Sequence, residues 1–461
     1  MIRLFKHYIS YNVVLLSVID LVLLFIAGEG AWRLRVTQIS VDAGPLAERI
    51  PELVGFAGVV WLAMIAVGTY GPEALRSIRF ATARLLVAVS LGVLAIALMN
   101  FVLPGSALWR SVLLYAMGIA ILLLVANRIL AGRMLGADAF RRTILVLGSG
   151  KRAERLLRLS QRQDSGFAVG AFVAMGDSAS TIETAVPRES ISDLGKFILR
   201  VGATEVVLAL EERRNSLPLK DLLRVKTNGV YVNDFSSFLE RELGCVDLDT
   251  LNPSWLIFSD GFSAGQRLSS IGKRFFDIVV SLLILTIGVP LIAIFSVLIK
   301  LETKGPAFFR QTRVGLYGQN FTLVKLRSMR TDAEAAGAKG AEKDDPRITR
   351  IGRLIRKVRI DELPQVWSVL KGEMSFVGPR PEVPAFVSDL ERELPYYAER
   401  HVVKPGITGW AQINYPYGAS IEDARHKLEY DLYYAKNYTP FLDLLILLQT
   451  ARVILWPDGA R

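Results

Sequence analysis

Residues 273–300 read KRFFDIVVSLLILTIGVPLIAIFSVLIK, an apolar run with basic residues at both ends. The run is long enough to cross a bilayer, but positive charge on both flanks fits poorly with a helix whose ends lie on opposite sides. Pro290 removes a helix hydrogen bond and clashes with the preceding turn. We therefore predict a re-entrant segment over 275–299, broken at Gly288–Pro290, that enters and leaves on the cytoplasmic side. An ordinary kinked span is the alternative.

Four more apolar runs lie in the first third of the chain, each near the length of about 20 residues that spans a bilayer. They are Val13–Ala31, Leu53–Tyr70, Phe80–Val102 and Trp109–Ala126. No convincing small-residue cleavage site follows the first run, so it is predicted to be an uncleaved anchor. Basic residues before the first run and after the fourth favour a cytoplasmic position for both. We predict a four-helix transmembrane domain over 1–140, with buried helices of a soluble protein as the alternative.

The composition agrees with a membrane protein that has an anionic partner. The 461 residues are 51% hydrophobic and 21% charged, with a net charge of +11. This apolar excess excludes a disordered chain and argues against an ordinary soluble enzyme. The single cysteine, Cys245, excludes an internal disulfide, and three separated histidines argue against a zinc site. Any metal is therefore expected on carboxylates, as is usual for Mg²⁺.

Residues 141–159, RRTILVLGSGKRAERLLRL, have the pattern of a buried strand, a glycine turn and a helix. Gly148, Gly150 and Ala153 form a GxGxxA turn, in which backbone N–H groups at a helix N-terminus can bind phosphate. Further strands are predicted at Ala168–Ala174, Glu205–Leu210 and Val230–Val232. This alternation predicts a Rossmann-like α/β domain over 141–262.

The glycine turn alone is weak evidence for nucleotide binding. Asp177 is the candidate ribose partner, and it lies farther from the glycines than the usual ~20 residues. We therefore expect the Rossmann-like domain to be structural or regulatory and not catalytic.

The segment 359–382, RIDELPQVWSVLKGEMSFVGPRPE, contains two adjacent carboxylates, Asp361 and Glu362, close in sequence to Arg356. One carboxylate of such a pair can act as nucleophile or base while the other holds a divalent cation. The neighbouring cations are expected to lower both carboxyl pKa values and keep both groups ionised. The alternative is that Asp361 only caps the helix that follows.

Four cations are the candidate phosphate ligands. They are Lys325, Arg327, Arg356 and Arg380. The last lies in the rigid turn Gly378–Pro381, and the first two alternate along a predicted strand. The glycine-rich loop 404–412, KPGITGWAQ, ends on Gln412 and is assigned to the nucleotide or the sugar. A plain structural turn is the alternative for this loop.

Taken in order, these segments resemble the catalytic domain of bacterial polyprenyl-phosphate phosphoglycosyl transferases of the monotopic class. The resemblance includes the apolar hairpin, GPAFFRQTRVG at 305–315, FTLVKLRSM at 321–329, the Asp–Glu segment and VKPGITGWAQIN at 403–414. The preceding residues are similar in layout to the large members of that class, which carry four spans and a Rossmann-like domain. The resemblance implies a mixed α/β catalytic domain over 263–461.

The resemblance also implies a reaction. A phosphosugar passes from a UDP-sugar to undecaprenyl phosphate and UMP is released, as the first membrane step of exopolysaccharide or O-antigen synthesis. Asp361 would attack the sugar-linked phosphorus to form a covalent aspartyl–phosphosugar intermediate, and Glu362 would hold Mg²⁺. The catalytic domain would lie on the cytoplasmic face of the bacterial inner membrane, in contact with membrane lipid, and no nucleic acid partner is expected. The sugar stays open, with glucose or galactose as guesses, and a homodimer is one expectation for the assembly.

Two other function classes share parts of this layout. A membrane-anchored sugar-nucleotide dehydratase or epimerase would need a Tyr-x-x-x-Lys pair, and no tyrosine here is followed by lysine four residues later. A non-enzymatic nucleotide-sensing membrane protein would leave the basic Asp361 region without a role. At the C-terminus, the run Phe441–Trp456 is predicted as an amphipathic helix lying in the membrane interface. A core helix of the catalytic domain is its alternative.

Overall fold

The structure is a computed structural model. It describes residues 2–4, 7–9, 11–70, 74–75, 78–102, 109–135, 141–162, 165–175, 181–211, 218–251, 267–330, 347–416, 418 and 420–455. The chain divides into two compact units, Met1–Leu243 and Gly244–Arg461. The predicted boundary at residue 262 and the candidate ribose partner Asp177 both lie outside the described residues.

The first unit starts with a short antiparallel pair and four long helices. They are β1 (Ile2–Leu4), β2 (His7–Ile9), α1 (Tyr11–Gln38), α2 (Leu46–Val67), α3 (Ile78–Val102) and α4 (Arg110–Leu135). All four apolar runs predicted from the sequence are therefore helical. By length and composition, α1, α2 and α4 could cross a membrane, whereas the apolar part of α3, Ala81–Ala97, is shorter.

The four helices pack around one apolar core that includes Leu24, Leu53 and Leu85. Asp20, the charge that interrupts the first apolar run, is fully buried and accepts a hydrogen bond of 2.7 Å from Arg128 of α4. Tyr70 also donates to this carboxylate, at 2.9 Å. The pairing explains how a carboxylate is tolerated in an apolar helix, because a buried charge needs a partner of opposite sign.

A five-stranded parallel sheet with helices follows in the same unit. Its elements are β3 (Arg142–Leu147), α5 (Lys151–Ser160), β4 (Phe167–Ala174), β5 (Val186–Pro187), α6 (Leu194–Val201), β6 (Glu205–Leu208), α7 (Leu219–Thr227), β7 (Tyr231–Asp234) and α8 (Phe235–Leu243). The strand order is β5-β4-β3-β6-β7 and every pair is parallel. Separate apolar cores cover the two faces of the sheet. The parallel α/β fold predicted from the sequence is thus confirmed.

The second unit combines α9 (Arg267–Glu302) with two small sheets and six further helices. The strands are β8 (Phe308–Val314) and β9 (Asn320–Leu326), which are antiparallel, and β10 (Ser375–Val377) and β11 (Gly406–Thr408), which are parallel. The helices are α10 (Arg350–Lys357), α11 (Val366–Lys371), α12 (Pro384–Glu393), α13 (Trp410–Asn414), α14 (Ile421–Asn437) and α15 (Pro440–Leu455). A large apolar core joins α11, α14, α15 and both sheets.

The apolar run over residues 273–300 lies in one helix, α9. It is 36 residues long and Pro290 lies inside it, so the predicted interruption at Gly288–Pro290 is wrong. A proline can stay within a continuous helix when only one backbone hydrogen bond is lost and the chain bends to relieve the clash. Its segment Ile271–Glu302 is long and apolar enough to span a membrane.

Both ends of α9 contact the second unit. Near its start, Asp277 accepts hydrogen bonds from the Ser375 hydroxyl at 3.0 Å and the Phe376 backbone at 3.3 Å. At its end, Glu302 accepts from the backbone N–H groups of Arg350 at 2.7 Å and Ile351 at 3.1 Å. The two ends of this apolar helix are therefore held by the same folded unit.

The C-terminal helix α15 contributes to the core. Leu442 and Ile446 are fully buried in the large apolar cluster, and Asp443 accepts a hydrogen bond of 2.7 Å from Tyr434. Lys273 at the start of α9 also pairs with Asp443. The core helix, which was the alternative, is the one observed. Trp456 lies outside the described residues.

Candidate active site

The Asp–Glu pair lies in a short 3-10 helix, Ile360–Gln365, between α10 and α11. Arg359, which precedes it, has a left-handed backbone with φ of +59°. Such a conformation is uncommon for a residue other than glycine and is held by its surroundings. Asp361 is 8% exposed, and its Oδ1 is buried with no hydrogen-bond partner among the residues that the structure describes.

Asp361 does not cap a helix. The residues at the N-terminal caps of the 3-10 helix and of α11 are Arg359 and Gln365, and neither cap has a side-chain hydrogen bond. The capping alternative is therefore wrong. A buried carboxylate oxygen without a partner is costly to keep, which is typical of a group held for chemistry or for a ligand.

Glu362 is surrounded by cations. The Lys325 ammonium on β9 donates to its Oε1 at 3.1 Å, and the guanidinium groups of Arg359 and Arg380 lie 3.7 Å and 4.0 Å from the same oxygen. Lys325 comes from the second strand of the hairpin and Arg380 from the turn after β10. The fold thus brings together three segments that are far apart in sequence.

The two adjacent carboxyl groups have opposite pKa shifts. Burial raises the pKa of Asp361 and the charge of Glu362 raises it further, against the opposing effect of Lys325 and Arg359. For Glu362, burial also acts to raise the pKa, but Lys325, Arg380 and Arg359 together lower it. The prediction that the cations lower both pKa values is correct for Glu362 and wrong for Asp361. The physical reason is that Lys325 and Arg380 lie closest to Glu362 and lower its pKa. At Asp361 the effect of burial is larger than that of the cations, so its pKa rises.

A cavity of about 410 Å³ adjoins this cluster, because Arg359 and Arg380 belong to both. Arg356 at the end of α10 and Gln412 in α13 also line it. The Oε1 of Gln412 is buried without a partner within the described part of the chain. A cavity with four arginine side chains in its wall, of which Arg400 is paired with Asp431, suits a ligand with several phosphate oxygens.

Arg327 is placed elsewhere. It is 6% exposed, and its guanidinium donates to the carbonyl oxygens of Thr303 at 2.9 Å and Lys304 at 3.0 Å. Since its bonded nitrogens are committed to the backbone after α9, this residue fastens the strand to the helix end. The sequence predicted that Lys325 and Arg327 alternate along one strand. Since β9 ends at Leu326, only Lys325 lies in the strand and Arg327 lies beyond it.

The two glycine-rich segments pack against each other. A Cβ on Gly378 would lie 2.1 Å from the Lys404 carbonyl oxygen, and a Cβ on Gly406 would lie 2.1 Å from the Gly378 nitrogen. Only glycine permits so close an approach of two backbones. The loop 404–412 is thus structural at its start, and Gln412 at its end is the residue that lines the cavity.

A buried ion pair in the cavity wall was not predicted from the sequence. Arg400 donates to the Asp431 Oδ2 atom through Nε at 3.0 Å and Nη2 at 2.7 Å. Nη2 also donates to the Arg380 carbonyl oxygen at 2.9 Å, so the pair fixes the backbone that carries Arg380. Burial raises the pKa of Asp431 against the effect of Arg400. No local motif signals this pair, because its members are 31 residues apart.

Within the described residues, no group of three or more histidine, cysteine, aspartate or glutamate side chains could hold a metal ion. The Asp361–Glu362 pair offers two carboxylates, so a metal ion held there would need further ligands from a bound substrate. The unpartnered oxygen of Asp361 is compatible with this, since Mg²⁺ is often bound by one or two carboxylates and substrate phosphates.

The glycine turn of the Rossmann-like fold already holds a carboxylate. Glu211, which follows β6, accepts a hydrogen bond of 2.9 Å from the Lys151 backbone N–H at the start of α5. A Cβ on Gly150 would lie 2.7 Å from the same Glu211 oxygen. The position at the helix N-terminus where a phosphate could bind is therefore occupied by this side chain.

Comparison with protein families and curated proteins gives an independent result. The model of the bacterial sugar transferase family matches residues 268–457, and that of a CoA-binding domain matches residues 65–219. The chain is 49% identical over 222 residues to an Aeromonas hydrophila UDP-N-acetylgalactosamine-undecaprenyl-phosphate N-acetylgalactosaminephosphotransferase, covering 48% of this chain and 52% of that protein.

Two further relatives are glucose phosphate transferases by name. The undecaprenyl-phosphate glucose phosphotransferase of Komagataeibacter xylinus is 34% identical over 324 residues, 68% of this chain and 58% of that protein. The Caulobacter vibrioides UDP-glucose:undecaprenyl-phosphate glucose-1-phosphate transferase is 40% identical over 190 residues, 41% of this chain and 71% of that protein. The chain thus spans only about half the length of some relatives. It belongs to the bacterial sugar transferase family of polyprenyl-phosphate phosphoglycosyl transferases.

Proposed function

We propose that the protein transfers a sugar phosphate from a UDP-sugar to undecaprenyl phosphate and releases UMP, as the first membrane step of polysaccharide synthesis. The names of the relatives support the donor and the acceptor. The single observation that carries the proposal is the buried, unpartnered Oδ1 of Asp361, whose neighbours Arg356 and Arg359 line a cavity with four arginine side chains in its wall. A nucleophile, cationic clamps and a cavity of this size are the parts that phosphoryl transfer needs.

The transfer proceeds in two displacements at one phosphorus atom. An Asp361 carboxylate oxygen attacks the phosphorus that carries the sugar, a P–O bond forms, and the bond to the bridging oxygen breaks so that UMP leaves. A phosphate oxygen of the acceptor lipid then attacks the same phosphorus. The aspartyl P–O bond breaks, and Asp361 returns to its ionised form with the lipid diphosphate sugar as product. No net proton transfer is needed in either step.

The neighbouring residues hold the donor for this attack. Arg356, Arg359 and Arg380 would bind the diphosphate oxygens from the cavity wall. Lys325 keeps Glu362 ionised, and Glu362 would hold Mg²⁺ together with the diphosphate. When bound, the ion would neutralise part of the charge that develops on the leaving UMP. We assign Gln412 to the nucleotide or sugar because its buried amide faces the same cavity.

The covalent step is tested by trapping. The purified protein is incubated with a UDP-sugar labelled in the sugar, without acceptor lipid, and the denatured protein is digested. We expect label on the Asp361 peptide of the wild type and none on Asp361→Asn, which keeps the size of the side chain. If the wild type makes product with acceptor in a single turnover but never carries label, transfer is direct and Asp361 is not the nucleophile.

Glu362 should fail in a different way from Asp361. Glu362→Gln keeps the size of the side chain but loses the charge that would hold the ion, so part of its UMP release should return at high Mg²⁺. Asp361→Asn should show no such recovery. If both variants recover equally, or if neither recovers, the assignment of different roles to the two carboxylates is wrong.

The sugar is tested with a panel of donors. The relatives are named for N-acetylgalactosamine and for glucose, so UDP-N-acetylgalactosamine joins UDP-glucose and UDP-galactose as candidates. UMP release with undecaprenyl phosphate in lipid particles identifies the donor. If no UDP-sugar in a broad panel supports UMP release while the protein stays folded, the transferase proposal itself fails.

We also propose that α9 is re-entrant and that the catalytic unit lies on the cytoplasmic face of the inner membrane. The support is that Asp277 near one end and Glu302 at the other are both bonded to the same unit. As a straight helix, the residues between these two contacts would span about 37 Å, which exceeds a bilayer core of about 30 Å. The proposal therefore requires α9 to bend, and Pro290 inside the helix is the position at which we place the bend.

Cysteine labelling from outside intact cells tests this topology in a Cys245→Ser background. Arg267→Cys and Lys300→Cys should both stay unlabelled, whereas Asp42→Cys, in the exposed connection between α1 and α2, should react. Labelling at position 300 alone would mean a true span. Labelling at both 267 and 300, with position 42 protected, would mean that the orientation is reversed.

A further inference from the structure

A second cavity, of about 160 Å³, lies beside the first turns of α9. It shares no lining residue with the cavity next to Glu362. Its wall combines three cations with apolar and aromatic side chains, and the proposed transfer chemistry makes no use of it.

Two cations in this wall have no carboxylate within ion-pair distance among the residues that the structure describes. Arg274 donates to the Val369 carbonyl oxygen at 2.6 Å and to that of Leu370. The Lys404 ammonium makes no hydrogen bond or ion pair with any residue that the structure describes, and the position of a Cβ on Gly372 is 3.5 Å from both Lys404 Nζ and Arg274 Cζ. Burial and then the charge of Arg274 lower the pKa of Lys404. The two side chains therefore form a site with unbalanced positive charge, which favours an anion.

The carboxylates nearby are already engaged. Lys273 is paired with Asp443. Asp277, which also lines the cavity, accepts hydrogen bonds from Ser375 and from the Phe376 backbone. Asp277 attracts the Lys404 ammonium electrostatically, but no ion pair joins the two within the described part of the chain. The three cations of the cavity wall therefore outnumber its one carboxylate, which leaves a positive charge for an external anion.

The other wall of the cavity is apolar and aromatic. It is lined by Leu316, Val402 and Val403, and by Tyr317, which is 64% exposed. Tyr317 has a φ of +51°, a left-handed conformation that costs energy for a tyrosine. A strained turn that presents an exposed tyrosine beside cations is typical of a surface that meets the lipid headgroups.

The cavity lies where the apolar surface of α9 begins. Ile271 and Phe275, in the first turns of that helix, are 65% and 70% exposed. Leu282 and Leu283 continue the exposed apolar surface. Large apolar side chains in such a run are stable only if lipid covers them. The cations of the cavity are therefore close to the depth at which lipid phosphates lie.

We propose that this cavity binds the phosphate of an anionic phospholipid head group. Lys404 and Arg274 contact the phosphate, while Tyr317, Val402 and Val403 contact the glycerol and the first acyl carbons. The occupant is a lipid and not a free phosphate, because a soluble anion would leave the apolar wall exposed to water. A bound lipid would hold the catalytic unit against the membrane surface. The inference does not depend on the transfer chemistry.

The test measures lipid retention by the full-length protein. The protein is reconstituted in nanodiscs of equal phosphatidylcholine and phosphatidylglycerol, released into mild detergent, and examined by native mass spectrometry. The wild type should retain phosphatidylglycerol in preference to phosphatidylcholine. Lys404→Gln should lower that retention by about fivefold, the effect of one cation at an anionic surface.

Two variants control for folding and for general charge. Lys404→Arg keeps the positive charge and should retain the lipid as the wild type does. Lys300→Gln removes the same charge from an exposed position at the other end of α9, and it should leave retention unchanged. If Lys404→Gln retains the lipid, or if Lys300→Gln loses it equally, the assignment of the site is wrong.

Competition identifies the source of the phosphate. Excess inorganic phosphate should not displace the retained phosphatidylglycerol. Displacement by inorganic phosphate would mean a simple anion site, and displacement by an equal amount of undecaprenyl phosphate would mean the acceptor site. Equal retention of phosphatidylcholine would mean that charge is not recognised. Each of these three results would overturn the proposal.

Discussion

Asp361 combines two properties that normally exclude each other in a stable protein. Its side chain is buried and ionisable, and one of its oxygens has no partner within the described residues. Burial and the charge of Glu362 raise its pKa, so the folded protein disfavours the ionised form. The cluster around Glu362 shows the opposite balance, because three cations approach that side chain. The burial of Asp361 is therefore expected to lower the free energy of unfolding at the residue that we propose as the nucleophile.

A consequence is that Asp361→Asn should stabilise the protein while abolishing transfer. A group whose pKa is raised on folding contributes stability below its unfolded pKa and loses it as the pH rises through the folded pKa. The neutral asparagine avoids this loss, so at neutral pH its Tm in detergent should exceed that of the wild type by a few degrees. The difference should disappear below the pKa of an ordinary aspartate.

Asp389→Asn is the matched control for this experiment. Asp389 is an exposed residue of the same unit that pairs with Arg392 on the surface, so its replacement should leave Tm nearly unchanged at every pH. A lower Tm for Asp361→Asn at neutral pH would show that the carboxylate is net stabilising, contrary to the raised pKa.

At the scale of single elements, the side chain of Glu211 occupies the position where the glycine turn was predicted to bind a phosphate. Glu211 accepts from the Lys151 N–H at the position where a phosphate would meet α5. We expect that the wild-type protein shows no shift in Tm with NAD or coenzyme A. Glu211→Ala removes the carboxylate and should permit weak binding, measurable as a Tm increase that depends on ligand concentration. A strong shift in the wild type would show that Glu211 moves aside.

Pro290 gives a second prediction at this scale. Although α9 is continuous, a proline inside a helix disfavours a straight axis because it lacks an N–H and its ring meets the preceding turn. Pro290→Ala should straighten the helix, move one of its ends and lower UMP release, by up to about a hundredfold if the site shifts by an ångström. Val289→Ala, at the neighbouring position, is the control and should stay close to wild-type activity. Equal activity of both variants would mean that transfer does not depend on a proline at this position.

At the scale of the whole molecule, the residues of the proposed chemistry all belong to the unit Gly244–Arg461, which has its own apolar core. A chain that starts at Gly244 should therefore release UMP in lipid particles within an order of magnitude of the full-length rate. The same truncated chain with Asp361→Asn is the control and should be inactive. Complete loss of activity in a truncated chain that still unfolds cooperatively would mean that the first unit takes part in catalysis.

Much of the fold could be predicted because it depends on local patterns. Apolar runs identify helices by length alone, and the alternation of buried strands with amphipathic helices predicts a parallel sheet. The continuity of α9 could not be predicted, since a proline both breaks and merely bends helices and only the surrounding contacts decide between these outcomes. The C-terminal helix was ambiguous for the same reason. Its apolar face suits lipid and a protein core equally well, and the burial of Leu442 and Ile446 resolves it.

The sequence by itself determined the membrane character, the parallel α/β fold and the Asp361–Glu362 pair with its basic surroundings. These follow from composition, periodicity and residues adjacent in the chain. Only the tertiary structure decided that Lys325 and Arg380 face Glu362, that Arg327 binds backbone oxygens, and that Arg400 and Asp431 pair in the cavity wall. Burial and the approach of distant charges set the pKa of each carboxyl group. Both depend on distances through space, which the order of residues does not contain.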